Sequence, residues 1–137
     1  MEKQYTVIEA APGLFFNGQI TVGENAADLG GIQNAYAALQ ARLSAEGDYS
    51  ATPLADGEVV VEPPFTPEQQ FFIAAASVWR NKTRPALLAL LVHSDVHAPG
   101  IVRATQPLRN AAPFFTAFGI KSGDPMWLSP EDRIVIW

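Results

Sequence analysis

The stretch that most constrains the fold is Gly23–Gly31, which carries two acids four positions apart. If this stretch is helical, Glu24 and Asp28 lie one turn apart on the same face. That face continues as the apolar stripe of the helix, through Gly31, Ile32, Ala35, Leu39 and Leu43. Both carboxylates then point towards the core, where an unpaired charge costs roughly several kcal/mol and therefore needs a metal or a cation. The alternative is a first helical turn, where the helix dipole stabilises acids by about 0.3–1 kcal/mol.

The same residues resemble a motif of the neprilysin family of zinc metallopeptidases, which includes endothelin-converting enzymes and bacterial oligopeptidase O. Gly-Glu-Asn-x-Ala-Asp-x-Gly-Gly is similar to the segment that carries the third zinc ligand of that family. The resemblance implies that Glu24 binds zinc and that Asp28 supports the metal ligands without binding the metal. The family's other two ligands and its general base come from a His-Glu-x-x-His helix, which this sequence lacks. The resemblance therefore covers only the C-terminal part of a family member.

A second motif of the same family is similar to a later stretch of the chain. Asp-x-His-x-Pro-x-x-x-Arg matches Asp95 to Arg103 at every specified position. The resemblance implies that His97 stabilises the oxyanion of the tetrahedral intermediate, that Asp95 orients His97, and that Arg103 binds the substrate carbonyl. Removing one such preorganised donor costs about 2.7–4 kcal/mol in other enzymes. The alternative is that His97 and Arg103 lie in a surface loop without a function.

Two histidines in this stretch raise a different possibility, because His93 and His97 are four residues apart. They would converge on one metal ion if they shared a helix, as in zincins. However, Ser94 stands where those enzymes carry a glutamate, and Ala98 before Pro99 predicts that the helix has already ended. We therefore reject a metal site built on this pair.

The dipeptide Val78-Trp79 precedes the second motif at the spacing of the family's Val-Trp pair. In the family this pair lines the specificity pocket on the primed side of the scissile bond. The resemblance implies that Val78 and Trp79 bind substrate, and that a large apolar pocket favours Phe or Leu after the scissile bond. Their helical spacing is equally compatible with two ordinary core residues.

Length and charge bound the remaining possibilities. With 137 residues, 48% of them hydrophobic, the chain is long enough for one core, so a single domain over residues 1–137 is expected. Nine Lys and Arg and a net charge of −5 make nucleic acid an improbable partner. The absence of cysteine excludes disulfides and thiolate metal sites. No apolar run approaches the roughly 18–20 residues of a membrane span.

The expected fold is mainly α, as in the C-terminal portion of a zincin-like catalytic domain, with short strands in the lead-in and in a surface loop. The lead-in contains a predicted strand at Tyr5–Ile8 and a predicted hairpin turn at Asn17-Gly18. The loop covers about residues 47–66, with Val59–Val61 as its strand. Helices are predicted at about 23–45, 67–82, 86–92 and 107–118, with a loop at 93–106 and a tail packed back onto the body. The second helix is predicted to begin at a capping box, Thr66 to Gln69, and to be broken at Arg84-Pro85. The apolar run of the third helix, Leu87–Val92, is expected to be enclosed on most sides, and the fourth helix is split before Pro113 and ended by Gly119.

Two hypotheses for the function follow. In the first, the chain is the C-terminal part of a zinc endopeptidase of peptides, whose parent is exported from a bacterium or stays in its cytoplasm. Because it supplies one of the three protein ligands that catalytic zinc takes, the chain alone is expected neither to hold zinc nor to cleave peptides. Its open face would be covered by the N-terminal remainder or by self-association. In the second hypothesis, it is a non-catalytic binding or interaction module derived from that fold.

Overall fold

The computed structural model describes residues 1–46 and 64–136, and its chain is mainly helical. The helices are α1 (Glu2–Thr6), α2 (Val22–Glu46), α3 (Pro67–Ser77), α4 (Pro85–Ser94), α5 (Gly100–Thr105) and α6 (Ala112–Phe118), with 3-10 turns at Leu108–Asn110 and Pro130–Asp132. Strands β1 (Glu9–Ala11) and β2 (Leu14–Phe15) form an antiparallel hairpin. The mainly α fold with strands in the lead-in is therefore confirmed. No helix within the described ranges is long and apolar enough to cross a membrane.

The lead-in differs from the prediction in its details. Tyr5 lies on α1 rather than on a strand, and its ring is buried in a hydrophobic cluster. The hairpin turns at Gly13, whose φ of 76° lies in the left-handed region that favours glycine. The predicted turn at Asn17-Gly18 does not connect the strands. Instead, the side-chain oxygen of Asn17 accepts a backbone hydrogen bond from Gln19 at 3.0 Å and starts the approach to α2.

Helix α2 begins one residue before the predicted start, but its buried face is rotated by about one residue from the predicted stripe. Asn25 and Leu29 are each only 1% exposed, whereas Gly31 and Ala35 face solvent. An asparagine is tolerated on the buried face because its amide donates to the Thr21 hydroxyl at 2.9 Å. The acids Glu24 and Asp28 consequently lie at the edge of the buried face rather than at its centre.

Helix α3 begins at the predicted capping box. The Thr66 hydroxyl accepts from the Gln69 backbone at 3.2 Å, and the Gln69 side chain accepts from the Thr66 backbone at 3.0 Å. The helix ends at Ser77, five residues before the predicted end. Segment 78–84 leaves the helical path and packs against the start of α5, which the sequence pattern of one helix does not encode.

Helix α4 begins at Pro85, next to the predicted break. Its apolar run was expected to be enclosed on most sides, and this prediction is wrong. Val92 is 3% exposed, but Leu87 is 48% exposed and Leu90 is 62% exposed. One side of α4 therefore packs on the hairpin and the other faces outward.

The core has two clusters. The first consists of Tyr5, Phe16, Val92, Ala98 and Val102. The second is largely aromatic and consists of Phe72, Leu108, Ala111, Phe114 and Phe115.

The loop predicted over 93–106 is wrong in its second half, because α5 occupies Gly100–Thr105 and packs Val102 into the first cluster. A six-residue helix that follows a proline carries little periodic signal.

The C-terminal tail packs back onto the body as predicted. The Arg133 guanidinium lies 4.1 Å from the ring centroid of Phe115, and the Ile134 backbone donates to Asn110 Oδ1 at 2.8 Å. Asn110 also exchanges two side-chain hydrogen bonds with Gln4, at 2.8 Å and 3.0 Å. This buried amide therefore connects α1 to the tail.

The predicted strand Val59–Val61 and nearly all of the predicted loop lie outside the described residues, as does Trp137.

Candidate functional site

The acids of the first motif and the His and Arg of the second meet where α2 faces the segment from Asp95 to Arg103. Glu24 Oε2 lies 3.1 Å from His97 Nε2, and Asp28 lies against Arg103. The fold thus brings together, in pairs, residues that are distant in sequence. Trp79 joins the Arg103 side of this arrangement, whereas Val78 does not and is 75% exposed.

His97 is held by Asp95 through two hydrogen bonds. Because α4 ends at Ser94 and Asp95 is extended, the carboxylate can turn back and accept from the backbone N–H of His97 at 2.9 Å. The same oxygen lies 2.9 Å from ring atom Nδ1. The backbone bond, and after it the ring bond, lowers the pKa of Asp95 below its usual value. An ionised carboxylate only accepts hydrogen bonds, so Nδ1 donates and Nε2 is left facing Glu24.

Glu24 is a suitable ligand for one coordination position of a metal ion. Its side chain is 41% exposed, and the His97 ring is its polar neighbour. Carboxylate oxygens bind zinc, but a catalytic zinc normally takes three protein ligands. Within residues 1–46 and 64–136, no group of three His, Cys, Asp or Glu side chains could hold an ion. The described residues fit zinc as the source of one ligand.

Asp28 and Arg103 form a bidentate ion pair. Nε and Nη2 of Arg103 donate to the two carboxylate oxygens of Asp28, each at 2.7 Å. The side chains are only 16% and 14% exposed. The guanidinium also lies 3.8 Å from the ring centroid of Trp79, which is cation–π distance. Hydrogen bonds from Arg103 to Asp28 raise the pKa of Arg103 despite partial burial.

A cavity of about 300 Å³ opens beside these groups. Its lining residues are Trp79, Asn81, Thr83, Leu91, Asp95, His97, Ala98, Pro99, Gly100 and Arg103. The sequence pattern gave no sign of Asn81 and Thr83, because Asn81 fell within the helix predicted to residue 82 and Thr83 matches neither motif. The exposure of Val78 excludes its alternative assignment as a core residue, and its role in substrate binding stays a prediction.

The rejected metal pair is also separated in the fold. His93 lies in the last turn of α4, whereas His97 lies beyond the helix end at Ser94. The two side chains therefore do not share a helix face.

A half-exposed carboxylate thus lies beside an imidazole that a second carboxylate holds, and the imidazole and an arginine line the same cavity. Comparison with known proteins gives the family. The profile of Peptidase family M13 matches residues 1–134, and the chain belongs to this family.

Relatives from animals and bacteria match nearly the whole chain. Neprilysin-21 of Caenorhabditis elegans is 36% identical over 131 residues, and human neprilysin is 33% identical over 129 residues. The neutral endopeptidase of Lactobacillus helveticus is 38% identical over 121 residues. These alignments cover 96%, 94% and 88% of this chain, but only 16%, 16% and 15% of the relatives. The chain thus spans a small part of the length of the curated relatives it matches.

The fold is similar to part of the Mycobacterium tuberculosis zinc metalloprotease Zmp1. The structure of that protein in an open state has a TM-score of 0.81 and 31% identity, covering 99% of this chain and 20% of that one. The structure in complex with an inhibitor has a TM-score of 0.82 and 30% identity, covering 98% and 20%.

Proposed function

We propose that this chain supplies one side of the active site of a neprilysin-like zinc metalloendopeptidase that hydrolyses peptides. The observation that carries the proposal is the 3.1 Å contact between Glu24 and His97, next to the buried pair of Asp28 and Arg103. The alternative of a non-catalytic module has no comparable observation in its favour.

In this proposal, Glu24 is one of three zinc ligands, and a His-Glu-x-x-His helix outside these 137 residues supplies the other two. When bound, the zinc ion polarises the peptide carbonyl and lowers the pKa of its water. Glu24 is suited to the role because its neighbour is a half-exposed imidazole rather than a buried cation. Its carboxylate can therefore exchange this contact for a metal at little cost in burial.

In its imidazolium form, with a proton on each ring nitrogen, His97 then serves as the hydrogen-bond donor for the oxygen on which negative charge develops. Asp95 fixes the ring from Nδ1 and from the backbone, so Nε2 has a defined direction before substrate binds. A donor that is oriented in advance stabilises the developing charge without reorganisation, which is the main source of its contribution to the rate.

Arg103 binds a substrate carbonyl through the N–H groups that it does not give to Asp28. Asp28 fixes one edge of the Arg103 guanidinium and Trp79 covers one of its faces. These two contacts hold the planar group in one orientation, so its remaining N–H groups have a defined direction. The position of Trp79 on the cavity wall supports a role in substrate binding on the primed side, together with the exposed Val78.

The outward side of α4 is the surface on which we place the rest of the enzyme. Leu87 is 48% exposed and Leu90 is 62% exposed, and because full burial of an exposed leucine gains about 1.5–3 kcal/mol, covering the exposed part of each gains roughly half of that. Packing of the polypeptide that carries the His-Glu-x-x-His helix would bury them and bring its ligands to Glu24.

The proposal is tested in the longest protein that the reading frame encodes, by zinc content and peptide hydrolysis. Glu24→Gln should lose both zinc and activity. His97→Phe should keep zinc but lose about 10²–10³ in kcat, as when an oxyanion donor is removed. Glu131→Gln and His93→Phe are matched controls on exposed residues and should behave like the parent. Retention of zinc and full activity by Glu24→Gln would show that the assignment is wrong.

The 137-residue chain by itself provides a second test. It should bind no stoichiometric zinc at the catalytic site and should cleave no peptide, because it has one of three ligands. Zinc binding at micromolar affinity together with chelator-sensitive hydrolysis would contradict this expectation.

A further inference from the structure

A hydrogen-bonded pair of buried polar side chains lies at the first turn of α2, next to Glu24 in the chain. Asn25 is 1% exposed and Thr21 is 2% exposed, so both occupy positions where an apolar residue is usual. The Asn25 amide donates to the Thr21 hydroxyl at 2.9 Å, and the Asn25 backbone N–H donates to the Thr21 carbonyl, also at 2.9 Å. An apolar pair of the same shape would be about as stable, so stability alone does not explain the polar one.

This pair belongs to a series of hydrogen bonds that begins on α1. The Thr21 hydroxyl donates to the carbonyl of Asn17 at 3.3 Å, in the turn that leads into α2. The next residue of that turn, Gly18, donates its N–H to the Thr6 hydroxyl at 3.3 Å. A Cβ atom added at Gly18 would lie 2.5 Å from the same hydroxyl oxygen, so the turn lies directly against α1. The start of α2 is therefore held by contacts made outside the helix.

Glu24 depends on this anchoring because its own side chain has little support. It is 41% exposed, and its 3.1 Å contact with His97 is the one that it would give up as a zinc ligand. The position of the carboxylate then follows from the rotation of the first helical turn. Successive residues of a helix are about 100° apart, so turning Asn25 into the core places Glu24 at the edge of the buried face. The hydrogen bond of Asn25 is directional, whereas the apolar packing of Leu29, one turn later, is not.

We infer that Asn25 and Thr21 are positioning residues for the metal site, whose hydrogen bond sets the rotation of the first turn of α2 and thereby directs the Glu24 carboxylate to zinc. This inference rests on the proposed function, in which Glu24 is a zinc ligand. Neither residue touches the metal, and both act through Glu24. Groups that orient a metal ligand contribute about 10–100-fold to metal affinity. Because this pair acts through the backbone rather than through a bond to the carboxylate, we expect the lower end of that range.

The test compares zinc affinity with stability in the longest protein that the reading frame encodes. In Thr21→Val/Asn25→Leu both side chains keep their shape but lose the hydrogen bond. Replacing both partners in this way is nearly neutral for stability, so the urea midpoint of the metal-free protein should stay as in the parent. The dissociation constant of zinc, measured by competition with a chelator, should rise about tenfold. Thr21→Ser keeps the hydroxyl and should bind zinc like the parent.

The control Asn34→Leu makes the same change at an exposed position of α2 and should alter neither zinc affinity nor stability. If the double variant binds zinc like the parent, the inference is overturned and the proposed function stands. If the double variant loses stability and zinc affinity together, the pair only supports the fold, and the inference is overturned as well. An equal loss of zinc affinity in Thr21→Ser would also contradict it, because the hydroxyl is retained there. If Glu24→Gln keeps zinc, the proposed function fails and the inference with it.

Discussion

Replacing Arg103 by methionine should destabilise the chain more than any change at an exposed charge. Met fills a similar volume but leaves Asp28, which is 14% exposed, without its two 2.7 Å hydrogen bonds. Breaking a fully buried pair in this way costs about 3–5 kcal/mol because the remaining charge is unpaired, and we expect the lower end of that range here, since both side chains are partly buried. Loss of the stacking on Trp79 adds to this cost, since an individual cation–π contact contributes about 0.5–2 kcal/mol.

A double variant tests whether the cost arises from the orphaned charge. In Asp28→Leu/Arg103→Met both ends of the pair are apolar, and such replacements of buried pairs are often neutral or stabilising. The double variant should therefore be more stable than Arg103→Met alone, by at least about 2 kcal/mol. The control is Arg80→Met, because Arg80 is exposed and a surface change of this kind stays within about 0.5 kcal/mol.

Urea unfolding followed by far-UV circular dichroism gives the free energies. With a slope of about 1–3 kcal/mol per molar urea, a loss of 3 kcal/mol moves the midpoint by roughly 1–3 M, which is easily measured. If Arg103→Met costs less than about 1 kcal/mol, the pair behaves as an exposed one, and the burial on which the reasoning depends is wrong. If the free-energy changes of Asp28→Leu and Arg103→Met, measured singly, sum to that of the double variant, the two residues are not coupled.

Three other predictions concern single residues. Burial raises the pKa of Tyr5 far above its usual value, so the folded state keeps the phenol proton at pH values where the unfolded chain loses it. The free energy of unfolding should therefore be constant below pH 10 and should fall above it by about 1.4 kcal/mol per pH unit. Tyr5→Phe should remove this slope in urea unfolding measured from pH 9 to 11. Thr66→Ala should cost about 0.5–2 kcal/mol through loss of the α3 cap, whereas Thr116→Ala, at an exposed position on α6, should cost little. Gly119→Ala should lower the melting temperature, because φ is 63° there and alanine is strained in this left-handed conformation. The control Gly23→Ala, in α2 with open space around the added Cβ, should not lower it, and equal effects of the two changes would contradict the reasoning.

Local signals in the sequence predict where several helices begin and end. The capping box at Thr66, the break at Pro85 and the C-terminal glycine at 119 each depend on residues within one turn, and each is found in the structure. The start of the long helix α2 is predicted to within one residue, because its length gives the pattern many repeats. Its rotation is less certain from the pattern, since small residues such as Gly31 and Ala35 are compatible with either face.

The errors arise where remote segments decide the local structure. Helix α3 ends early because the carbonyl of Trp79 and the amide of Asn81 pack on Gly100, and no pattern in one segment encodes that approach. Helix α5 is likewise too short for a periodic signal and forms where Val102 enters the first cluster. A sequence-based account therefore misses both sides of the same contact, and with it the wall of the cavity.

The two acids of α2 illustrate how the structure resolves what the sequence leaves open. Two carboxylates on one helix face require a metal or a cation, and the pattern does not say which acid takes which partner. The fold gives Asp28 a buried cation, Arg103, with two hydrogen bonds, so its charge is already satisfied. Glu24 has only a half-exposed imidazole at 3.1 Å. Because a metal binds most readily to the carboxylate that gives up least, these contacts support our proposal that Glu24 rather than Asp28 is the zinc ligand, while Asp28 holds the arginine in place.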